Sequence, residues 1–247
     1  MARIFITGSA DGLGQMAATQ LIRQGHNVVL HARNAARAQH AISKVPGAVQ
    51  VLVGDLSSME ETKKLAASVN ALGAFDAIIH NAGVYQEPGH VILTVNTLAP
   101  YILTCLIQKP GRLVYLSSGM HRQGDASLRN LMPGTSGVTY SDSKLHDLLL
   151  TTAVARKWPT VYANAVDPGW VPTRMGGKGA PDNLDKGVQT QVWLAVSDDE
   201  KAKVSGRYFY HQREANHRPE AEDVKLQDTF LARCEEITGV GFPAEWP

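Results

Sequence analysis

The chain has 247 residues, 44% hydrophobic and 19% charged, enough to bury a sizeable core in one large domain or two small ones. Lys plus Arg is 24 and Asp plus Glu is 23, so a net charge of +1 gives no electrostatic reason to expect nucleic acid or an anionic membrane as partner. The two cysteines, Cys105 and Cys234, lie far apart in no C-x-x-C pair, which argues against a disulfide framework or zinc site and predicts free thiols in a reducing cytosol.

The N-terminal apolar run is too brief for a signal peptide, and no run of about 18 apolar residues stands out. The expectation is a cytoplasmic protein with no membrane span. "RIFIT" (3–7) reads as a buried strand. "TGSADGLG" (7–14) follows, with glycines spaced G-x-x-x-G-x-G at Gly8, Gly12 and Gly14. It opens a helix with the apolar stripe Leu13, Met16, Ala17, Leu21. A strand before and a helix after are the setting of a phosphate cradle: glycines let backbone amides approach, and the helix N-terminus adds partial positive charge. Taken alone, the loop reads equally well as a flexible turn.

"NVVLH" (27–31) is the second strand. Beyond such a strand an acid commonly holds a free ribose 2′-hydroxyl, and a cation a 2′-phosphate. No Asp or Glu occurs from Val28 to Arg37. Arg33 falls just past the strand, with His31 and Arg37 nearby, and a guanidinium suits a phosphate. The pattern favours NADP(H), leaves NAD(H) possible, and argues against a methyltransferase. "VQVLV" (49–53), "DAIIH" (76–80), "RLVYL" (112–116), "YANAV" (162–166) and "RYFY" (207–210) are further strands. Ser58 and Glu61 form a candidate capping box for a helix running toward Leu72. "GTSG" (134–137) and "MGGKGAPD" (175–182) are loops, the second readable as a lid or as inert surface. Residues 221–239 read as a last helix stopped at Gly239. The alternation predicts an α/β single-domain Rossmann fold over 1–247: a doubly wound, mostly parallel sheet of about seven strands with helices on both faces.

In "TYSDSKLHDLLL" (139–150), Tyr140 and Lys144 are four apart and share a helix face. A free phenol has a pKa of about 10; a neighbouring ammonium is expected to lower it and make Tyr140 a usable acid and base. Ser117 and Ser118 end a strand, where ligands bind in open α/β sheets.

"TGSADGLG" (7–14), "GDL" (54–56), "NAG" (81–83), "VN" (95–96), "SS" (117–118), "YSDSK" (140–144) and "DPGWVPT" (167–173) follow one another in the order of the short-chain dehydrogenase/reductases, which the chain resembles over nearly its whole length. "SSGMH", the insertion before the tyrosine, "YSDSKL" and the "SGRYF" tail look most like the retinol-dehydrogenase-like branch. The resemblance implies Tyr140 as general acid/base and Lys144 as its activator and ribose contact. It also implies Ser118 as a donor to the substrate oxygen, with Ser117 structural, and Asn96 as holder of a relay water. Gly8, Gly12 and Gly14 would hold the pyrophosphate, with the Ser9 and Leu13 amides nearby and Arg33 at the 2′-phosphate. Asp55 would meet the adenine, and Asn81, Ala82 and Gly83 the adenosine half. Pro168, Gly169, Val171 and Thr173 would contact the nicotinamide half, Thr173 at the carboxamide.

The function so implied is an NADP(H)-dependent oxidoreductase moving hydride between nicotinamide and a ketone, aldehyde or secondary alcohol, with no metal. Its partner is a small-molecule carbonyl or alcohol, and pairing through the helices of Tyr140 and Asn96 makes a homo-oligomer possible. A catalytically silent dinucleotide-binding sensor or scaffold on the same fold is the alternative. Asn96 follows Asn81 by 15 residues and Ser118 follows Asn96 by 22, leaving "VYQEPGHVIL" little room for a helix and predicting a trimmed wall. Tyr140 follows Ser118 by 22 residues, so the segment 119–139 is expected to hang over the site. Near it, Tyr85, Met120, Trp170 and Met175 read as pocket lining or ordinary packing, and His121 as a loop histidine without a catalytic task.

Overall fold

The structure, a computed structural model, describes residues 1–132 and 138–244. The loop expected at 134–137 lies outside the described residues. The strands are β1 (Arg3–Ile6), β2 (Asn27–Ala32), β3 (Gln50–Val53), β4 (Ala77–His80), β5 (Arg112–Leu116), β6 (Tyr162–Asp167), β7 (Arg207–Tyr210) and β8 (Arg213–Glu214). They form one sheet in the order β3-β2-β1-β4-β5-β6-β7-β8, with all pairs parallel except β7 and β8. Ile6 stands opposite Leu30 on one side and Ile79 on the other, so the order reverses at β1. A crevice opens there, beyond the carboxyl ends of β1 and β4.

Alternation along each strand sends side chains to two faces, and both are buried. Phe5 packs in one core with Val29, Ile78, Tyr101 and Leu149. Ile4 and Ile6 pack in the other with Leu21, Val28, Leu30 and Val192. Helices α1 (Gly12–Arg23), α2 (Ala35–Lys44) and α7 (Leu184–Val196) supply the second core. Helices α3 (Met59–Asn70), α4 (Gly89–Ile92), α5 (Ala99–Leu106), α6 (Tyr140–Lys157) and α8 (Val224–Thr238) supply the first.

All seven expected strands form. The eighth was hidden because its hairpin turns on His211 and Gln212, at φ 49° and 60°, without the Gly or Asn that usually marks such a turn. Ser58 caps α3 by accepting from Glu61 N–H, but the Glu61 carboxylate takes Asp55 N–H instead of closing the box. The wall expected to be trimmed carries a helix after all. α4, a π turn (Leu93–Leu98) and α5 run on as Gly89–Leu106, long and apolar enough by length and composition to cross a membrane. Most of it is buried in the protein, where Leu98, Tyr101 and Ile102 fill the first core.

The segment 119–132 does not hang free. Leu128 and Leu131 enter the core, Asp125 N–H donates to Asp142, and Arg218 donates to Gly124 O at 2.6 Å. α6 is buried from Ser141 to Val154 between the sheet, the π turn and α8, which covers its outer side: Phe230 packs at a tilt on His146, and Arg156 binds Gln227 and Asp228.

Candidate active site

The glycine loop joins β1 to α1. Gly8 and Gly12 have φ of 62° and 55°, a conformation that disfavours a side chain. A Cβ on Gly8 would lie 2.8 Å from Ala82 Cα, and one on Gly14 would lie 2.4 Å from Asn81 Nδ2. These two glycines admit the 81–83 segment, where Asn81 Nδ2 donates to Thr7 O and Gly8 O and Ala82 N–H donates to Thr7 Oγ1. Gly12 is roomier, with Thr173 Cγ2 at 3.9 Å, which places Thr173 across from the loop.

His31 lies beneath the loop. Its Nδ1 accepts Gly8 N–H at 2.9 Å and its Nε2 donates to Gly54 O at 2.8 Å. Burial holds its pKa below the ordinary value, so it is a neutral pin rather than a third cation beside Arg33. Ser9 is turned inward too: its N–H donates to His31 O, its hydroxyl to Ile6 O, and it accepts His31 N–H. The expected Ser9 amide contact is thus committed to β2. Asp11 caps α1 through Gly12 N–H. The Leu13 and Gly14 amides remain in the first turn, at the positive end of the helix, and that donor set fits a diphosphate.

At the edge of β2, Arg33 is exposed and has no ion-pair partner among the described residues, whereas Arg37 pairs with Asp11 at 3.2 Å. Asp55, past β3, accepts from Ser57 N–H and Oγ through one oxygen.

The catalytic candidates gather at the ends of β4, β5 and α6. Thr139 caps α6 in a closed box with Asp142, placing Tyr140 in the first turn. The Tyr140 hydroxyl has no hydrogen-bond partner among the described residues, and Tyr85 meets its ring edge-on at 4.9 Å. Burial raises the Tyr140 pKa above its ordinary value, and Lys144 opposes this without reversing it. The expectation of a lowered phenol pKa is therefore corrected: at this partly buried position desolvation of the phenolate outweighs the nearby ammonium.

Lys144 Nζ is 5.4 Å from the Tyr140 ring centre and donates to Leu116 O at 2.6 Å. Ser117 Oγ donates to Lys144 O, a structural bond. Ser118 begins a 3₁₀ turn (Gly119–Gln123) and accepts Met120 N–H at 3.2 Å, keeping its own hydroxyl proton to donate. His121 is buried against Ser118 O at 2.6 Å. Asn96, in the π turn, accepts Val84 N–H and donates to Val84 O and Ser143 Oγ. Gly83 lies between them: a Cβ there would be 3.6 Å from Asn96 Oδ1 and 3.8 Å from Lys144 Nζ.

After β6, Asp167 accepts Gly169 N–H and Tyr208 O–H. Gly169 adopts φ 80°, and Asp182 closes the base of the next loop by accepting Trp170 N–H and donating to Trp170 O. Pro168 and Val171 crowd Gly187 of α7, while Thr173 Oγ1 accepts Gly176 N–H. The segment 175–182 is thus tied down at its neck.

Sequence reasoning passed over Asp147, Ser143 and the His31 pin. Asp147 had a signal, since it stands three residues from Lys144 on the same helix face.

The family model for short chain dehydrogenase matches residues 2–183. An uncharacterised oxidoreductase of Emericella nidulans is 46% identical over 98% of this chain and 99% of its own length. A Penicillium rubens short-chain dehydrogenase is 42% identical over 99% of this chain and 100% of its own length. Human retinol dehydrogenase 14 is 29% identical over 96% of this chain and 86% of its own. A solved Mycobacterium paratuberculosis protein shares the fold with a TM-score of 0.82, at 24% identity over 98% of this chain and 95% of that one. The chain belongs to the short-chain dehydrogenase/reductases and is an oxidoreductase.

Proposed function

We propose that the protein is an NADP(H)-dependent carbonyl reductase in which Tyr140 is the proton donor. One observation carries the reading: beside the buried Lys144, Tyr140 begins α6 and Ser118 follows β5, and among the described residues neither hydroxyl donates to a protein group. When bound, the nicotinamide would supply or accept the hydride. The chain's own residues handle the oxygen. As negative charge develops there during reduction, the Ser118 and Tyr140 hydroxyls are two donors fixed in place to meet it. The raised phenol pKa keeps Tyr140 protonated at neutral pH, which suits donation. Oxidation of an alcohol needs the phenolate and should speed up as pH rises.

Arg33, with no ion pair among the described residues and no acid from Val28 to Arg37, supports a 2′-phosphate and hence NADP(H). Leu13 and Gly14 amides would take the pyrophosphate, and Thr173 the nicotinamide end. Tyr85, Met120, Trp170 and Met175 are large, exposed and carried on the segments flanking Tyr140 and Ser118. They support a substrate with an apolar body around its carbonyl. A homo-oligomer paired through α6 would first have to displace α8, so the covered helix supports a monomer on that face.

The test is absorbance at the nicotinamide band with a panel of apolar ketones and aldehydes. Turnover with NADPH that collapses in Tyr140→Phe supports the reading. No turnover across the panel, or undiminished turnover in the variant, would sink it.

A further inference from the structure

The ammonium of Lys144 has a second partner besides Leu116 O. Nζ donates to Asp147 Oδ2 at 2.9 Å, and both side chains are about one-twentieth exposed. An ammonium carries three N–H bonds. With two fixed on these oxygens, the third is left for the space beside Gly83 and the Tyr140 ring.

A buried lysine without a counter-ion gives up its proton readily. Burial works to lower the Lys144 pKa, and Asp147, the stronger partner, together with Tyr140 more than offsets it. Leu116 O is neutral and cannot. Burial pushes the Asp147 carboxyl up to about 6, and Lys144 holds it from rising further, so it remains ionised at neutral pH. The other titratable groups around the pair come from every neighbouring element. Tyr140 lies on α6 itself. Tyr115 on β5 bonds Thr104, with Cys105 of α5 close by, and burial raises both their pKa values. His80 on β4 stacks on Tyr115 and is pulled down to about 3 by burial. His146 on α6 faces Phe230 of α8 and is pulled down to about 4. Asp167 on β6 already holds Gly169 N–H and Tyr208 O–H. Of these groups, Asp147 is the only full charge bonded to the ammonium.

We propose that Asp147 is a positioning residue: the counter-ion that keeps Lys144 charged and holds its third N–H toward the Tyr140 side. It rests on the reading of Tyr140 as proton donor. Asp147→Asn keeps the shape and an acceptor oxygen but removes the charge. NMR of isotope-labelled lysine, with Lys144 identified by its loss in Lys144→Arg, reads its charge without any substrate. In the native protein Lys144 is expected to stay protonated beyond the ordinary lysine range, and in Asp147→Asn to titrate about two pH units lower than in the native protein. Above that new midpoint kcat for reduction should fall about tenfold or more, with cofactor KM changed less than about threefold. The pH limb of alcohol oxidation should move upward. A folded Asp147→Asn whose Lys144 titrates as in the native protein overturns the proposal. Asp147→Glu restores the charge, serves if the neutral variant does not fold, and should titrate within about half a unit of native. A fall of about two units in that variant would show that charge is not the operative property, and would also overturn it. If the native protein reduces no carbonyl, the proton-donor reading fails while the NMR titration still decides the role of Asp147.

Discussion

The two ends of the crevice are built on opposite terms. Beneath the glycine loop the bonds join neutral groups: His31 takes Gly8 N–H, Ser9 is tied to β2, and Asn81 laces the loop to the next strand, while the Asp11–Arg37 pair stays at the exposed edge. At the Tyr140 end a charged pair is buried, and the Tyr140 hydroxyl has no hydrogen-bond partner among the described residues. Burying a charge is costly unless it is paired, and a free hydroxyl in a packed site is held in reserve. The first region therefore fixes a backbone shape. The second holds groups whose protonation can change.

The contrast breaks most sharply at Tyr140. Tyr140→Phe removes only the unpartnered hydroxyl, so turnover should drop about 10³-fold while thermal stability stays within about 0.5 kcal/mol of native. Steady-state rates and urea midpoints separate the two; a matching loss of stability would mean the hydroxyl is structural. Next in size is acid sensitivity. Burial pulls the His146 imidazole down to about 4, so below pH 6.5 the unfolded chain binds a proton that the folded chain refuses until about pH 4. Stability is therefore complete above about 6.5 and lost as pH falls across that window, by about 3 kcal/mol for this one group. His146→Gln should flatten the decline in urea midpoints between pH 7 and pH 4.5. An equally steep decline would assign the acid sensitivity to other groups.

The same contrast explains what could be read without coordinates. Strands buried on both faces are continuous apolar runs, so "RIFIT", "NVVLH" and "DAIIH" announced themselves. Gly8 and Gly14 were legible because the 81–83 segment leaves no room for a Cβ, which fixes residue type and spacing together. The π turn at Asn96 was not, since its phase is set by Val84 and Ser143 reaching in from other elements. Asp147 was passed over in a polar helix start; α6 is buried there because the end of β5, the π turn and, some 80 residues later, α8 all pack against it. The i, i+3 spacing from Lys144 pairs the two charges, but the burial that gives the pair its meaning is tertiary.

Smaller effects sharpen the cofactor end. Arg33→Ala removes a guanidinium that has no ion pair among the described residues, so NADP(H) should bind about tenfold or more weaker with little change for NAD(H). Equal losses by calorimetry would remove the 2′-phosphate from the argument. The smallest effect concerns Asp11, whose carboxylate caps α1 and holds Arg37 at 3.2 Å. Burial pushes its pKa up, but Arg37 and Gly12 N–H together hold it below the ordinary value. Both side chains are more than a third exposed, so the pair should contribute under about 1 kcal/mol to stability. Its charge stands at the helix end where a diphosphate would settle, and it occupies the second cation beside Arg33. Asp11→Asn keeps the cap, removes the repulsion and frees Arg37, so NADP(H) should bind a few-fold tighter at low salt, with the gain fading as salt rises. Weaker binding in that variant would mean that the ion pair organises the loop instead of competing with the phosphate.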